Sequence, residues 1–166
     1  MSAPVILVPL DGSEAAMAAL PVAKVLGKIE QSVLCVVHVA EREPPDADRV
    51  SRLTLRAQDL GGATVEVRTG EPAAQILRLA DEIEPRMIVL CKHSTGVPRR
   101  VPGRAAAAVL RDAWCPLVVV PPERGSAPWH LQHILVPHDG TPSTSIGVRP
   151  AAELAELAGA ELLVAH

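Results

Sequence analysis

The chain has 166 residues and a formal net charge of −3, with 48% hydrophobic residues, two Trp and neither Phe nor Tyr. That is one domain of ordinary size with little left over, and its core must be Val, Leu, Ile and Ala, which suits parallel sheets buried on both faces. Mild acidity and the lack of aromatic stacking platforms speak against nucleic-acid binding, and no run approaches the ~18 apolar residues of a membrane span.

Taken in order, Val5–Pro9 reads as a buried strand. Ser13–Lys28 reads as a helix with Ser13 as its N-cap, bent at Pro21. Ser32–Val39 is a second apolar strand, and Pro44–Pro45 bars regular structure after it. Asp48–Leu60 is a short helix ended by Gly61–Gly62, and Ala63–Arg68 alternates as a strand does. Glu71–Glu84 is an amphipathic helix with Ile76, Leu79, Ala80 and Ile83 on one face. Arg86–Cys91 is strand four, Arg104–Ala113 a helix, and Cys115–Pro121 strand five. Strands alternating with helices predict an α/β fold: an open five-stranded parallel sheet with helices on both faces, Rossmann-like. Ligands in such sheets bind beyond the carboxyl ends of the strands, so the ends of strands one and four are the places to look.

Residues 1–121 are expected to form this domain, 122–132 a linker, and 133–166 a partial second repeat. The repeat shows directly: Ile6–Ser13 (ILVPLDGS) returns as Ile134–Thr141 (ILVPHDGT), Pro21 as Pro150, and His38 as His166. Two strands and one helix leave a bare apolar face, so a truncated product or a covering partner is expected.

Asp11 and Gly12 sit just past strand one, where they either shape a strand-to-helix turn or face a ligand or its metal ion. The segment Ile88–Leu110 is strand, loop and alanine-rich helix, with Gly96, Gly103, Lys92, Arg99, Arg100 and Arg104 in or at the edge of the loop. A loop that opens a helix offers N–H groups and a positive dipole end to an anion. Neither a P-loop nor GxGxxG is present. Cys35, Cys91 and Cys115 lack metal or disulfide spacing and read as buried core residues in a reducing cytoplasm; nothing at the N-terminus reads as a signal peptide. His130 and His133 read as a linker pair rather than a metal site, and His38 as a structural histidine. The G-x-S-x-G elbow of a hydrolase is missing.

Together, "ILVPLDGS", "VVHV", a GxHG-like segment and "CPLVVVP" resemble the universal stress protein family, over residues 5–121 and again at the start of 133–166. The resemblance implies the five-stranded, adenine nucleotide alpha hydrolase-like fold, a role in stress survival, and pairing through the fifth strand, as a homodimer or between tandem domains. Nucleotide-binding members carry a G-x2-G-x9-G-S/T loop for ATP. Its glycines fall on Cys91, Ser94 and Gly103 here, and its Ser/Thr on Arg104, so only Gly103 matches and the second spacing is one residue short. His93 keeps the family's histidine position, while Pro98 and Pro102 stiffen the loop. The nucleoside-side positions Pro9, Asp11 and Val39 do match.

The expected function is therefore that of a cytoplasmic binding or regulatory protein with a degenerate nucleotide-binding loop, acting on an unknown protein partner. The alternative is a genuine ATP or AMP binder, with Mg²⁺ and slow ATP hydrolysis. An adenylyl-transferring enzyme is a third class, but its HIGH-type and SGGxD-type loops are not visible.

Overall fold

Every strand expected from the sequence forms. In the computed structural model, which describes residues 3–40, 45–58, 62–92, 103–125 and 127–166 (the side chains of Arg56 and Gln58 excepted), the chain divides into two compact units, residues 1–128 and 129–166. The first unit runs β1 (Val5–Pro9), α1 (Ala19–Ile29), β2 (Val33–Ala40), α2 (Ala47–Gln58), β3 (Thr64–Thr69), α3 (Pro72–Ile83), β4 (Met87–Cys91), α4 (Arg104–Asp112) and β5 (Leu117–Val120). Its five strands are all parallel, in the order β3-β2-β1-β4-β5. β1 is central, and Ile6, Leu7 and Val8 on it are fully buried.

Alternation along the strands assigns each side chain to a face. Leu7, Cys35, Val37, Ile88 and Leu90 join Ala73, Ile76, Leu79 and Ala80 of α3 and Val109 of α4 in one apolar cluster. Ile83 packs partly buried against it, so the stripe read from the sequence is the helix face that meets the sheet. The α3 start is fixed by Glu71, whose side chain accepts a hydrogen bond from the Ala74 N–H (2.7 Å), with Pro72 in the first position.

Two local expectations need correction. Ser13–Lys28 is not one helix: residues 16–18 form a 3₁₀ turn, and α1 begins at Ala19. Pro21 lies in the first turn of α1, where its missing N–H would have no intrahelical acceptor, so the change of helix type comes ahead of the proline. His133 is not a linker residue; it opens a strand, with Nε2 3.5 Å from Glu161 Oε2.

The second unit contains β6 (His133–Pro137), α5 (Pro142–Ser145), α6 (Val148–Ala158) and β7 (Glu161–Ala165), with β6 and β7 parallel. Val136 and Ala155 are buried, whereas the register partners Leu135 and Leu163 are 63% and 45% exposed. The turn after β6 is closed by Asp139, whose Oδ1 accepts from the Thr141 N–H (2.9 Å), the Thr141 hydroxyl (2.7 Å) and the Thr144 hydroxyl (2.7 Å). Those donors, the Thr141 and Thr144 hydroxyls first, lower its pKa to about 2.

Replacing Leu79, 2% exposed, by Ala should destabilise the first unit by about 2–5 kcal/mol in chemical denaturation, while Leu163→Ala should stay within about 0.5 kcal/mol. For Asp139 the lowered pKa means that ionisation favours the folded turn above the ordinary carboxylate range, and that this contribution is lost as pH falls through about 2. A carboxyl-carbon NMR titration should find its midpoint at about 2, and Thr144→Val should raise it; an ordinary midpoint in the unsubstituted protein would refute the role assigned to the three donors.

Candidate functional site

The carboxyl rim of the sheet begins where β1 ends. Leu10 continues the ladder, its N–H donating to Val37 O (2.9 Å), and its own carbonyl accepts from His38 Nδ1 (2.9 Å). His38 is 3% exposed, so the imidazole is a buried strut under the turn. Asp11 Oδ1 then accepts the Ser13 N–H (2.9 Å), Gly12 takes φ +83°, and Ser13 Oγ accepts the Ala16 N–H (3.2 Å). Only a residue without Cβ adopts that φ easily, and a carboxylate that bonds two residues ahead mimics a backbone turn. The second unit repeats the device: Asp139 takes the Thr141 N–H at 2.9 Å and Gly140 has φ +84°. Asp11 therefore has a structural role in the turn and, being exposed, also presents its charge at the rim.

The end of β4 lies within reach of that charge. Cys91 is 6% exposed, and its thiol is pushed up to about 11, first by burial and then by the Asp11 and Glu123 carboxylates. A thiol so protonated is no nucleophile at neutral pH. Its side chain is buried wall, and pairing runs on beyond it through the Lys92 N–H to Val120 O (2.7 Å). Pro9 and Val39 are half-buried; Pro9 pairs with Val37, two residues before Val39 on the same face.

On the far side, Gly103 is the N-cap of α4, with φ −60°, ψ 160° and no side-chain cap. That is ordinary extended backbone, so the glycine is not needed for its angles. As a glycine it has no side chain of its own to cap the first-turn N–H groups of α4. Arg104 is exposed at the first helical position, where a cation opposes the helix dipole. Ser94, with His93, Gly96, Pro98, Arg99, Arg100 and Pro102, lies outside the described residues.

The structure thus brings Asp11, Cys91 and Glu123 to one rim, with Pro9 and Val39 on its β2 side and Gly103 and Arg104 at the helix that leaves β4. Sequence reasoning missed Glu123, which follows β5 in a 3₁₀ turn, Pro122–Arg124, inside a stretch read as linker. It also missed Arg49 at the start of α2, whose Nη1 donates to the Asp11 carbonyl (3.3 Å). Asp46 three residues earlier is a legible cap for Arg49, but nothing local announces a contact across 38 positions.

In the second unit, His138 and Ser145 have the reach of a nucleophile–base pair, with Nε2 to Oγ at 3.0 Å. The Gly140 N–H donates to His138 Nδ1 (3.0 Å), so the ring proton sits on Nε2 and points at the serine. Ser145 Oγ in turn donates to the Thr141 carbonyl (3.1 Å). A base must present its lone pair to the nucleophile, so the arrangement is a turn network and not a triad. Among the described residues no group of three His, Cys, Asp or Glu side chains is placed to hold a metal, and no helix is long and apolar enough to cross a membrane.

Comparison with known proteins agrees with this architecture. A universal stress protein of Synechocystis is 33% identical over 132 residues, covering 70% of this chain and 84% of its own length. A universal stress protein solved in complex with cAMP shares the fold at 21% identity, with a TM-score of 0.59, over 72% of this chain and 98% of its own. A putative universal stress protein from Pseudomonas aeruginosa matches 98% of this chain, over 61% of its own length, at 22% identity and a TM-score of 0.71. The model of the universal stress protein family matches residues 4–121, and the chain belongs to that family.

Proposed function

We propose that this chain is a regulatory binding protein of the stress response, resident in the cytoplasm, which works by changing partner contacts and not by turnover. Its nucleotide site is kept in reduced form: the rim around Asp11 and the start of α4 remain, while the loop glycines have been replaced. The observation that carries the reading is the shared rim: β1 and β4 are parallel neighbours, the Asp11 turn follows β1, and the Cys91 thiol at the end of β4 is raised first by burial and then by the Asp11 carboxylate. A ligand at Asp11 therefore also lies beside the strand that leads to α4. Binding without chemistry is supported by the groups nearest the rim. His38 is committed to a backbone carbonyl, and Cys91 holds its proton.

A second reading, a full adenine-nucleotide site, is favoured by the cation at the first position of α4. Arg104 beside the positive helix end is a combination that a bound phosphate relieves from both sides. The cAMP held by the related structure is a phosphate ligand of that class. In this reading Pro9 and Val39 floor the nucleoside, and Asp11 holds ribose or Mg²⁺. Gly103 and Arg104 hold phosphate, and ATP hydrolysis is slow.

The fifth strand is one of the two edges of the sheet, β3 being the other. Val119 on it is 37% exposed. An exposed apolar edge invites pairing with another strand, so the proposed assembly is a homodimer or tandem pairing through β5.

Thermal-shift titration with ATP, ADP, AMP and cAMP, with and without Mg²⁺, separates the two nucleotide readings. A ligand at a hundred times its Kd should stabilise the fold by about 2.7 kcal/mol, and Asp11→Asn, which removes the charge but keeps an acceptor for Ser13, should abolish the shift. No shift at millimolar nucleotide leaves the full-site reading without support. For the assembly, light scattering should show a dimer that Val119→Lys converts to monomer; a monomer in both would end the edge-pairing proposal.

A further inference from the structure

Arg49 differs from most of the paired arginines among the described residues: like Arg124, it bonds to backbone carbonyl oxygen. Arg68, Arg86, Arg111 and Arg149 meet carboxylates at Glu82, Glu30, Asp112 and Glu153. Arg49 meets none among the described residues. Its backbone is pinned instead: Asp46 Oδ1 accepts the Arg49 N–H (3.2 Å) at the start of α2. From there the side chain crosses to the turn after β1, where Nη1 donates to the Asp11 carbonyl (3.3 Å). Its stem lies so close over Gly12 that a Cβ there would stand 2.8 Å from both Cγ and Cδ. Gly12 thus serves two needs, the left-handed turn and the approach of this arginine. The guanidinium remains exposed above the rim.

Topology fixes the side from which it comes. β2 flanks β1 on one edge and β4 on the other, so α2 reaches the rim from the β2 side and α4 from the β4 side. A ligand whose phosphate sits at the start of α4 has its other end on the side of Pro9, Val39 and Arg49. For a nucleotide that end is the base, and a base gains from stacking on a flat partner. This chain has no Phe or Tyr. The one tryptophan of the first unit, Trp114, is bonded to Asp81 (2.8 Å) beyond the end of α4. Among the described residues, Arg49 is the planar cation that reaches the turn after β1 from the β2 side, and guanidinium planes stack on aromatic faces.

We propose that Arg49 is a base-contacting residue of this site, its guanidinium lying flat on a purine while its stem stays seated on Gly12. The assignment rests on the nucleotide reading above and adds to it the residue that selects the base. The test is calorimetric titration of the full chain, Arg49→Ala and Arg49→Lys with AMP and with ribose 5-phosphate, after melting curves without ligand confirm that all three are folded. Arg49→Ala should weaken AMP by on the order of ten-fold, in line with the loss of one stacking partner, and leave ribose 5-phosphate unchanged. Arg49→Lys, which keeps the charge and loses the plane, should not restore AMP binding. Equal losses on both ligands would make Arg49 a holder of the turn or of phosphate and overturn the assignment. So would full recovery with Lys, or AMP binding that is the same with and without Arg49; these AMP comparisons decide the matter where ribose 5-phosphate is too weak to measure. If the unsubstituted chain binds neither ligand, the nucleotide reading falls and this assignment with it.

Discussion

Burial of β1 between two parallel neighbours is the constraint from which the rest of the first unit follows. A strand in that place can spare no polar side chain on either face, and Ile6, Leu7 and Val8 meet the demand. It also makes the chain move outward in one direction through β2 and β3 and then return to the other side for β4 and β5. The helices that follow β2 and β4 accordingly start on opposite flanks of the same strand end. The crevice between such diverging connections is where open parallel sheets place their ligands.

Leaving the sheet at that point requires an abrupt turn, and two polar elements supply it. The buried His38 holds the Leu10 carbonyl from below, and the Asp11 carboxylate folds back on Ser13 from above. The second unit closes its corresponding turn with the same carboxylate and glycine geometry. The aspartate therefore belongs first to the architecture. Its charge at the rim comes with the turn, and a binding site there uses a group that the fold already had to place.

The strands themselves and the core face of α3 were readable because burial imposes a period on the residues. Continuous apolar runs marked β1, β2 and β4, and the spacing of Ile76, Leu79 and Ala80 marked the stripe that meets them. Helix onset was less readable: Ser13 bonds to a backbone N–H three residues on, as a cap does, yet the turn it closes leads into 3₁₀ geometry before α1. At the site, the family pattern pointed to Asp11 and Gly103. The apolar run gave the burial of Cys91, but nothing showed that Arg49 arrives from another helix or that Glu123 returns to the rim after β5. Those facts depend on the packing of elements distant in sequence, and no local spacing carries them.

The three cysteines limit the kinds of signal this molecule can receive. Cys35, Cys91 and Cys115 are all buried, and burial raises each thiol above its ordinary value. Peroxides attack the deprotonated sulfur, and mixed disulfides need it within reach of solvent. With all three thiols protonated and enclosed, thiol redox chemistry at these positions is disfavoured for as long as the fold holds.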